Sequence, residues 1–271
     1  MPGTEPTDDR TARFGALVQG PPELLQESLA EATLLVAAHA DPSVDVNRYL
    51  DVLAGFAAAC PAGDLDAVVH QLFDVEAFTG NSADYYAADN SYLDRVIDHR
   101  LGIPITLAVV LLDVARRGGV VLSGVGMPGH FLVRSDADDR PRFLDPFDRG
   151  RTLSVDECAA RFHATQGEDA PFDISYLDPV DARAIVGRIL ANLRGIHMAN
   201  RDSRNLEWVL RLRGLVPGAS IRDRAERAGV LAAMGRYAEA ADVLEALVPE
   251  ATGPVVDQLA GQAKKLRARL N

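Results

Sequence analysis

Lysine is nearly missing from this chain: of its 28 basic residues only Lys264 and Lys265 are lysines, which leaves 26 arginines. That shortage removes lysine from the candidates for a catalytic base in the first 263 residues. With the abundant alanine, the arginine bias fits a high-GC bacterial genome and carries no function of its own. Cysteine is also scarce. Cys60 and Cys158 are the only two, without metal or redox spacing, a pattern that fits a reducing compartment. No run approaches the roughly 18 apolar residues needed to span a bilayer. Met1–Arg10 has no basic, apolar, cleavable leader, so the expectation is a cytoplasmic protein with no membrane partner. Walker loop, dinucleotide fingerprint, zincin motif and Gly-x-Ser-x-Gly elbow are all missing, which leaves no expected cofactor and no expected metal. A net charge of −11 argues against nonspecific nucleic-acid binding, although it leaves room for a local basic patch.

What is present is a chain of 271 residues, 48% hydrophobic, enough for two packed domains. Residues 1–20 are polar and rich in Pro, Gly, Thr and Asp, and read as a mobile tail. From Pro21 the first third is helical: Pro22 suits a first turn, leucines follow at helical spacing, and further amphipathic segments cover 46–56 and 64–78. Ser91 can cap the next short helix, with Asp94 three residues on as in a capping box. Residues 104–117 are apolar on nearly every face, which predicts a buried central helix ending at Gly118-Gly119. The period then changes from 3.6 to 2, predicting strands at 120–125, 130–134 and 142–147. Cys158–His163 is helical again. From about Asp181 the chain is all helix, with a weak repeat between 198–217 and 233–249, near the tetratricopeptide period of about 34. A helical cap fits this better than a free-standing solenoid, since about three repeats are usually needed. The expected domains are therefore 21–178 and 179–271.

The strands carry the candidate chemistry. Pairing Arg134 with Pro141 in a hairpin sets His130 opposite Asp145, on one face of the sheet, where a carboxylate can fix the imidazole tautomer. A third catalytic group would approach from the start of the buried helix, where the dipole lowers a thiol's pKa. That turn reads Gly102-Ile-Pro-Ile-Thr. Pro104 is inert, and Thr106 offers the nearest hydroxyl as a nucleophile candidate. Cys158 reads as a small buried hydrophobe. The charged run Asp94–Arg100 reads as a solvated helix face, and Asp136, Asp138 and Asp139 as a solvated turn without the glycine of a calcium loop.

Asn90-Ser-Tyr-Leu, Gly102-Ile-Pro-Ile-Thr-Leu, Pro128-Gly-His-Phe-Leu-Val and Asp145-Pro-Phe together resemble the SirB-type transglutaminase-like family over roughly residues 25–250. The resemblance implies an α+β papain/transglutaminase-like core, with helices packed on a small antiparallel sheet. An all-helical tetratricopeptide-like region follows it. His130 and Asp145 match the histidine and aspartate of the wider superfamily, and Pro104 (or Ile103, with a one-residue shift) stands where its nucleophilic cysteine would be. The SirB-type branch itself carries Gly-Ile-Pro here. Asn90 and Tyr92, in the first motif, are candidate binding residues. Two functions remain open: a noncatalytic module that binds a peptide or protein partner through the old cleft, and an unconventional hydrolase or acyl-transfer enzyme in which Asp145 orients His130 as general base. Substrate and oligomeric state are not encoded in any of these motifs.

Overall fold

A computed structural model describes residues 6–138 and 140–270 of the chain. The helices and strands run in the order α1 (Pro6–Gln19), α2 (Pro22–Glu27), α3 (Leu29–Ala40), α4 (Val46–Ala58), α5 (Leu65–His70), β1 (Thr79–Gly80), α6 (Leu93–His99), β2 (Leu101–Gly102), α7 (Pro104–Arg117), β3 (Ser123–Val125), β4 (Leu132–Ser135), β5 (Arg142–Asp145), β6 (Arg151–Leu153), α8 (Val155–Gln166), β7 (Pro179–Val180), α9 (Ala182–Ala199), α10 (Ser203–Leu215), α11 (Ile221–Ala233), α12 (Tyr237–Leu247) and α13 (Pro254–Arg267). The described residues form two compact units, one ending at Ile189 and the other beginning at Leu190, so the division falls inside α9.

The first unit is the expected α+β core. Its sheet is antiparallel throughout, in the order β6-β5-β4-β3-β7, and β1 and β2 form a separate parallel pair. Helix α7 lies at the centre, with every residue from Pro104 to Ala115 buried, and it packs on α3, α4 and α5 as well as on β3 and β4. Only a helix apolar on all sides can occupy such a position. Its one acidic residue, Asp113, is neutralised by Arg116 at 2.9 Å and Arg117 at 2.6 Å. Proline at the first helical position loses no helical hydrogen bond, since that N–H would have no partner in the helix.

The mobile tail expected for residues 1–20 is corrected over Pro6–Gln19, which is helix α1; residues 1–5 lie outside the described residues. Its polar composition hides an apolar stripe at i, i+3 and i+4: Phe14 and Val18 are fully buried and Leu17 nearly so. Helix α1 packs on α3, where Arg10 donates to the Ala38 carbonyl at 3.0 Å and Arg13 pairs with Glu31 at 2.7 Å. The proposed cap at Ser91 is also corrected. Tyr92 precedes α6 with no side-chain cap, Asp94 is buried, and the Ser91 hydroxyl makes no hydrogen bond among the described residues.

The second unit is wholly helical. Helices α10 to α13 pack in succession, and the turn holding Gly235 separates α11 from α12. Ala228, Ala240 and Ala241 are buried there, so the two helices approach closely, and Leu231, Leu244 and Leu247 fill the remaining core. No described helix is long and apolar enough to cross a membrane.

His197 gives this unit a pH dependence. Burial pushes its pKa below the usual histidine value, against the opposing pull of Asp202, 3.4 Å away. A buried imidazole that resists protonation binds fewer protons folded than unfolded. Its contribution to stability is therefore complete above the unfolded pKa near 6.5 and is lost as the pH falls below it. Unfolding free energies from urea titrations between about pH 7.5 and pH 5 should fall for the wild type, by at most about 1.4 kcal/mol per pH unit from this group. In His197→Gln the decline should be shallower; an unchanged slope would assign the acid sensitivity elsewhere.

Candidate functional site

The candidate site grows from one reverse turn and one strand end. Gly129 has φ +76°, and a Cβ there would sit 2.4 Å from the Thr165 hydroxyl, so both backbone conformation and space require glycine. The turn closes with the His130 N–H donating to the Met127 carbonyl at 3.1 Å. Arg188 of α9 holds it from the other side, donating to the Met127 carbonyl at 3.1 Å and to the His130 carbonyl at 2.9 Å, with its guanidinium over the Phe131 ring. His130 is thereby fixed just ahead of β4.

Asp145 ends β5. Its Oδ1 accepts hydrogen bonds from the Phe147 N–H at 3.0 Å and the Asp148 N–H at 3.3 Å, and it lies 2.9 Å from His130 Nε2. A carboxylate only accepts, so Nε2 carries the hydrogen and Nδ1 of the neutral imidazole is left as an acceptor. Asp145 Oδ2 is buried without an aligned donor, yet it lies 3.0 Å from the Arg161 guanidinium of α8. The Arg161 contact is thus electrostatic, and the same guanidinium reaches Asp148 at 3.2 Å. Asp145 is fully buried and His130 is 6% exposed.

The His130–Asp145 pair therefore exists, but the expected hairpin register does not. The observed partners are Val133↔Leu144, Arg134↔Phe143 and Ser135↔Arg142, two residues away from the pairing of Arg134 with Pro141. A slip of two keeps every side chain on its own face, whereas a slip of one would have separated the pair. His130 meets Asp145 diagonally, from the turn before the strand.

The other candidates are placed as follows. Pro104 is buried at the first position of α7, and α7 packs on β4 and on the turn Pro146–Asp148, beside the pair. Thr106 is buried, and its hydroxyl donates to the Asn90 carbonyl at 2.7 Å while accepting from the Ile103 N–H at 3.2 Å. Asn90 organises the loop before α6, donating to the Asp84 carbonyl at 2.6 Å and the Tyr85 carbonyl at 3.1 Å and accepting from Asn81 at 3.0 Å. Tyr92 is buried at the start of α6. Cys158 is fully buried in the apolar cluster under the sheet; burial foremost, then the Asp145 charge, pushes its thiol up to about 11. A thiol with that pKa is protonated at neutral pH and is a poor nucleophile. Asp136 pairs with Arg134 at 2.8 Å, and Asp139 lies outside the described residues. Among the described residues no three His, Cys, Asp or Glu side chains converge as a metal site.

Sequence reasoning missed the aromatic wall. The Phe147 ring stands edge-on to His130, with centroids 6.2 Å apart, and rests on Gly80, where any Cβ would meet the ring at 2.4 Å. Tyr85 continues the wall at 5.8 Å from Phe147, and Tyr86, 80% exposed, carries it into solvent. The signal was the Tyr85-Tyr86 pair in an otherwise polar stretch. Arg161 and Arg188 gave no signal in a chain so rich in arginine.

Arg161→Met should lower the unfolding free energy by about 1–3 kcal/mol, less than for a fully buried pair because Arg161 is itself partly exposed. Adding Asp145→Asn should not add its full separate cost, as a double-mutant cycle by urea denaturation would read. Strict additivity would mean that the 3.0 Å approach carries no energy.

The family model described as the Transglutaminase-like superfamily matches residues 29–191, a span that includes α3 to α8, the whole sheet and both members of the pair. A UPF0162 protein of Xylella fastidiosa (strain Temecula1) is 36% identical over 232 residues, which cover 77% of this chain and 82% of that protein. A UPF0162 protein of Haemophilus influenzae is 26% identical over 212 residues, 75% of this chain and 78% of that one. F-box only protein 21 of Mus musculus is 41% identical over 102 residues, 35% of this chain but 16% of the mouse protein. No solved structure matches the chain. The matching model covers more than half of the chain, including the whole sheet and the central helix, and the chain belongs to the Transglutaminase-like superfamily.

Proposed function

We propose that this protein is a SirB-type member of the superfamily that acts as a noncatalytic module, holding a peptide or protein partner at the surface beside the His130–Asp145 pair. The observation that carries this reading is the chemistry of the candidate nucleophiles at the start of α7 and on α8. Pro104 has no nucleophilic atom, the Thr106 hydroxyl is given to the Asn90 carbonyl, and the Cys158 thiol is buried with its pKa at about 11. Thr106 and Asn90 serve to tie the loop 81–90 to α7, and Asn90 and Tyr92 act by positioning the aromatic wall above them. The exposed Tyr86 and the half-exposed Tyr85 supply the kind of rigid amphipathic contact that protein recognition favours. The mouse relative supports a module reading, since the shared segment fills only 16% of that longer chain. We assign the helices from α10 onward to a tetratricopeptide-like array and the protein to the cytoplasm.

A second reading keeps chemistry at the pair. His130 Nδ1 has no hydrogen-bond partner among the described residues, while Nε2 is held by Asp145, the arrangement a general base toward water or a substrate hydroxyl requires.

One experiment separates the two. Cross-linking in the native host, followed by mass spectrometry, should recover a specific partner with the wild type and lose it with Tyr85→Ala/Tyr86→Ala. His130→Gln should retain that partner, because the imidazole is almost sealed. Ester, thioester and amide reporter substrates should show no turnover above buffer that depends on His130. Turnover abolished by His130→Gln in a folded variant would replace the module reading with the enzyme reading. Unchanged partner capture by the double tyrosine variant would remove the aromatic wall from either.

A further inference from the structure

The overall charge of −11 conceals a division. Residues 190–271 hold eleven arginines and two lysines against nine aspartates and glutamates, a net of +4, which leaves −15 on the first 189 residues. The excess is concentrated early in the helical unit: between Arg201 and Arg227 there are seven arginines against four carboxylates. An acidic chain thus contains one unit of opposite sign, and this unit also contains a cavity.

The cavity measures about 550 Å³ and is lined by Arg194 of α9, Arg213 of α10, and Arg222, Asp223 and Glu226 of α11. Its carboxylates are already committed. Glu226 is held by Arg194 at 2.9 and 3.0 Å, and Asp223 takes the Ser220 hydroxyl at 2.8 Å as part of the α11 cap. The Ser220 hydroxyl foremost, then the Arg213 and Arg194 charges among others, hold the Asp223 carboxyl below its usual range, so it stays ionised. The Arg213 and Arg222 guanidiniums, by contrast, form no hydrogen bond or ion pair with any described residue. Arg213 is half-buried and Arg222 exposed, and both line the cavity. Three cations against two anions leave one positive charge, with two forked donors unused. Carboxylate is the group that such forks match in a bidentate manner, and a single net positive charge suits a monoanion better than a dianionic phosphate held beside Asp223 and Glu226.

We propose that this cavity binds an acidic side chain of a peptide segment, one carboxylate at a time, with Arg213 and Arg222 as the recognising residues and the Arg194–Glu226 pair as a fixed wall. Arg194 is a positioning residue, since its hydrogen bonds are spent on Glu226. The inference does not depend on the surface beside His130: every residue it uses lies beyond Leu190.

The test uses the full chain and a short, fluorescein-labelled, glutamate-rich peptide, with its glutamine counterpart as control, read by fluorescence anisotropy. The glutamate peptide should bind, weaken with added salt, and leave the glutamine peptide unbound. Arg213→Gln/Arg222→Gln should weaken binding by about tenfold or more. Arg201→Gln/Arg204→Gln, which removes the same charge from exposed positions outside the cavity, should leave affinity within about twofold. Circular dichroism and thermal midpoints confirm that both variants fold. Should the cavity variant fail to fold, Arg213→Lys/Arg222→Lys keeps the charge while losing the fork, and should still weaken binding. Competition with inorganic phosphate and with a single-stranded oligonucleotide completes the experiment. Displacement by either at concentrations below those of unlabelled glutamate peptide would overturn the proposal in favour of a phosphate site. Equal losses in the two double variants, or no binding by the wild type, would overturn it outright.

Discussion

One carboxylate oxygen organises the core site. Asp145 Oδ1 ends strand β5, turns the chain through the N–H groups of Phe147 and Asp148, and holds the His130 imidazole, all within 3.3 Å. The geometry of the reverse turn and the geometry of the histidine are therefore the same constraint. Removing the carboxylate would free a buried imidazole and two backbone donors together, and buried donors without acceptors are costly. The Phe147 ring depends on it as well, because the turn that Asp145 caps is what aims this ring past Gly80 toward His130.

Much of the site was legible in the sequence even though the strand register was not. A face of a sheet is a matter of parity, and parity survives a slip of two residues. His130 and Asp145 could be placed together from alternation alone, even though Arg134 pairs with Phe143 and not with Pro141. Helix α7 was legible for a different reason: a segment apolar on all faces has only one kind of place to go. What escaped was whatever depended on a minority of residues within a misleading average. Phe14 and Val18 anchor α1 inside a stretch whose composition reads as tail, and β7 is two residues long, too short to show a period. Tyr85 and Phe147 are far apart in the chain, so nothing local could reveal that their rings meet.

Pro104 gains meaning from its neighbours. A helix start can be filled by a nucleophile or by a residue that simply begins a helix well, and proline does the second at no cost in hydrogen bonds. Around it the hydroxyl of Thr106 is spent on the Asn90 carbonyl, and Asn90 in turn holds the loop that presents Tyr85 and Tyr86. The polar groups that could have served chemistry at this helix start are thus used to fix a loop. The loop carries aromatic surface outward from an imidazole that is almost closed off.

Charge works on two scales in this molecule, and the two lead to opposite conclusions. A sum of −11 describes the distant field, which falls away over about 8 Å at physiological salt. Inside that distance only the nearest groups matter, and around Arg213 and Arg222 the nearest groups are cationic or already paired. An acidic ligand approaching the chain as a whole is repelled, whereas one delivered to the helical unit meets two unused guanidiniums. Because that field falls off so steeply, overall acidity and a local site for acidic groups can coexist in one polypeptide, and net charge alone predicts partners poorly whenever the charges are segregated along the chain.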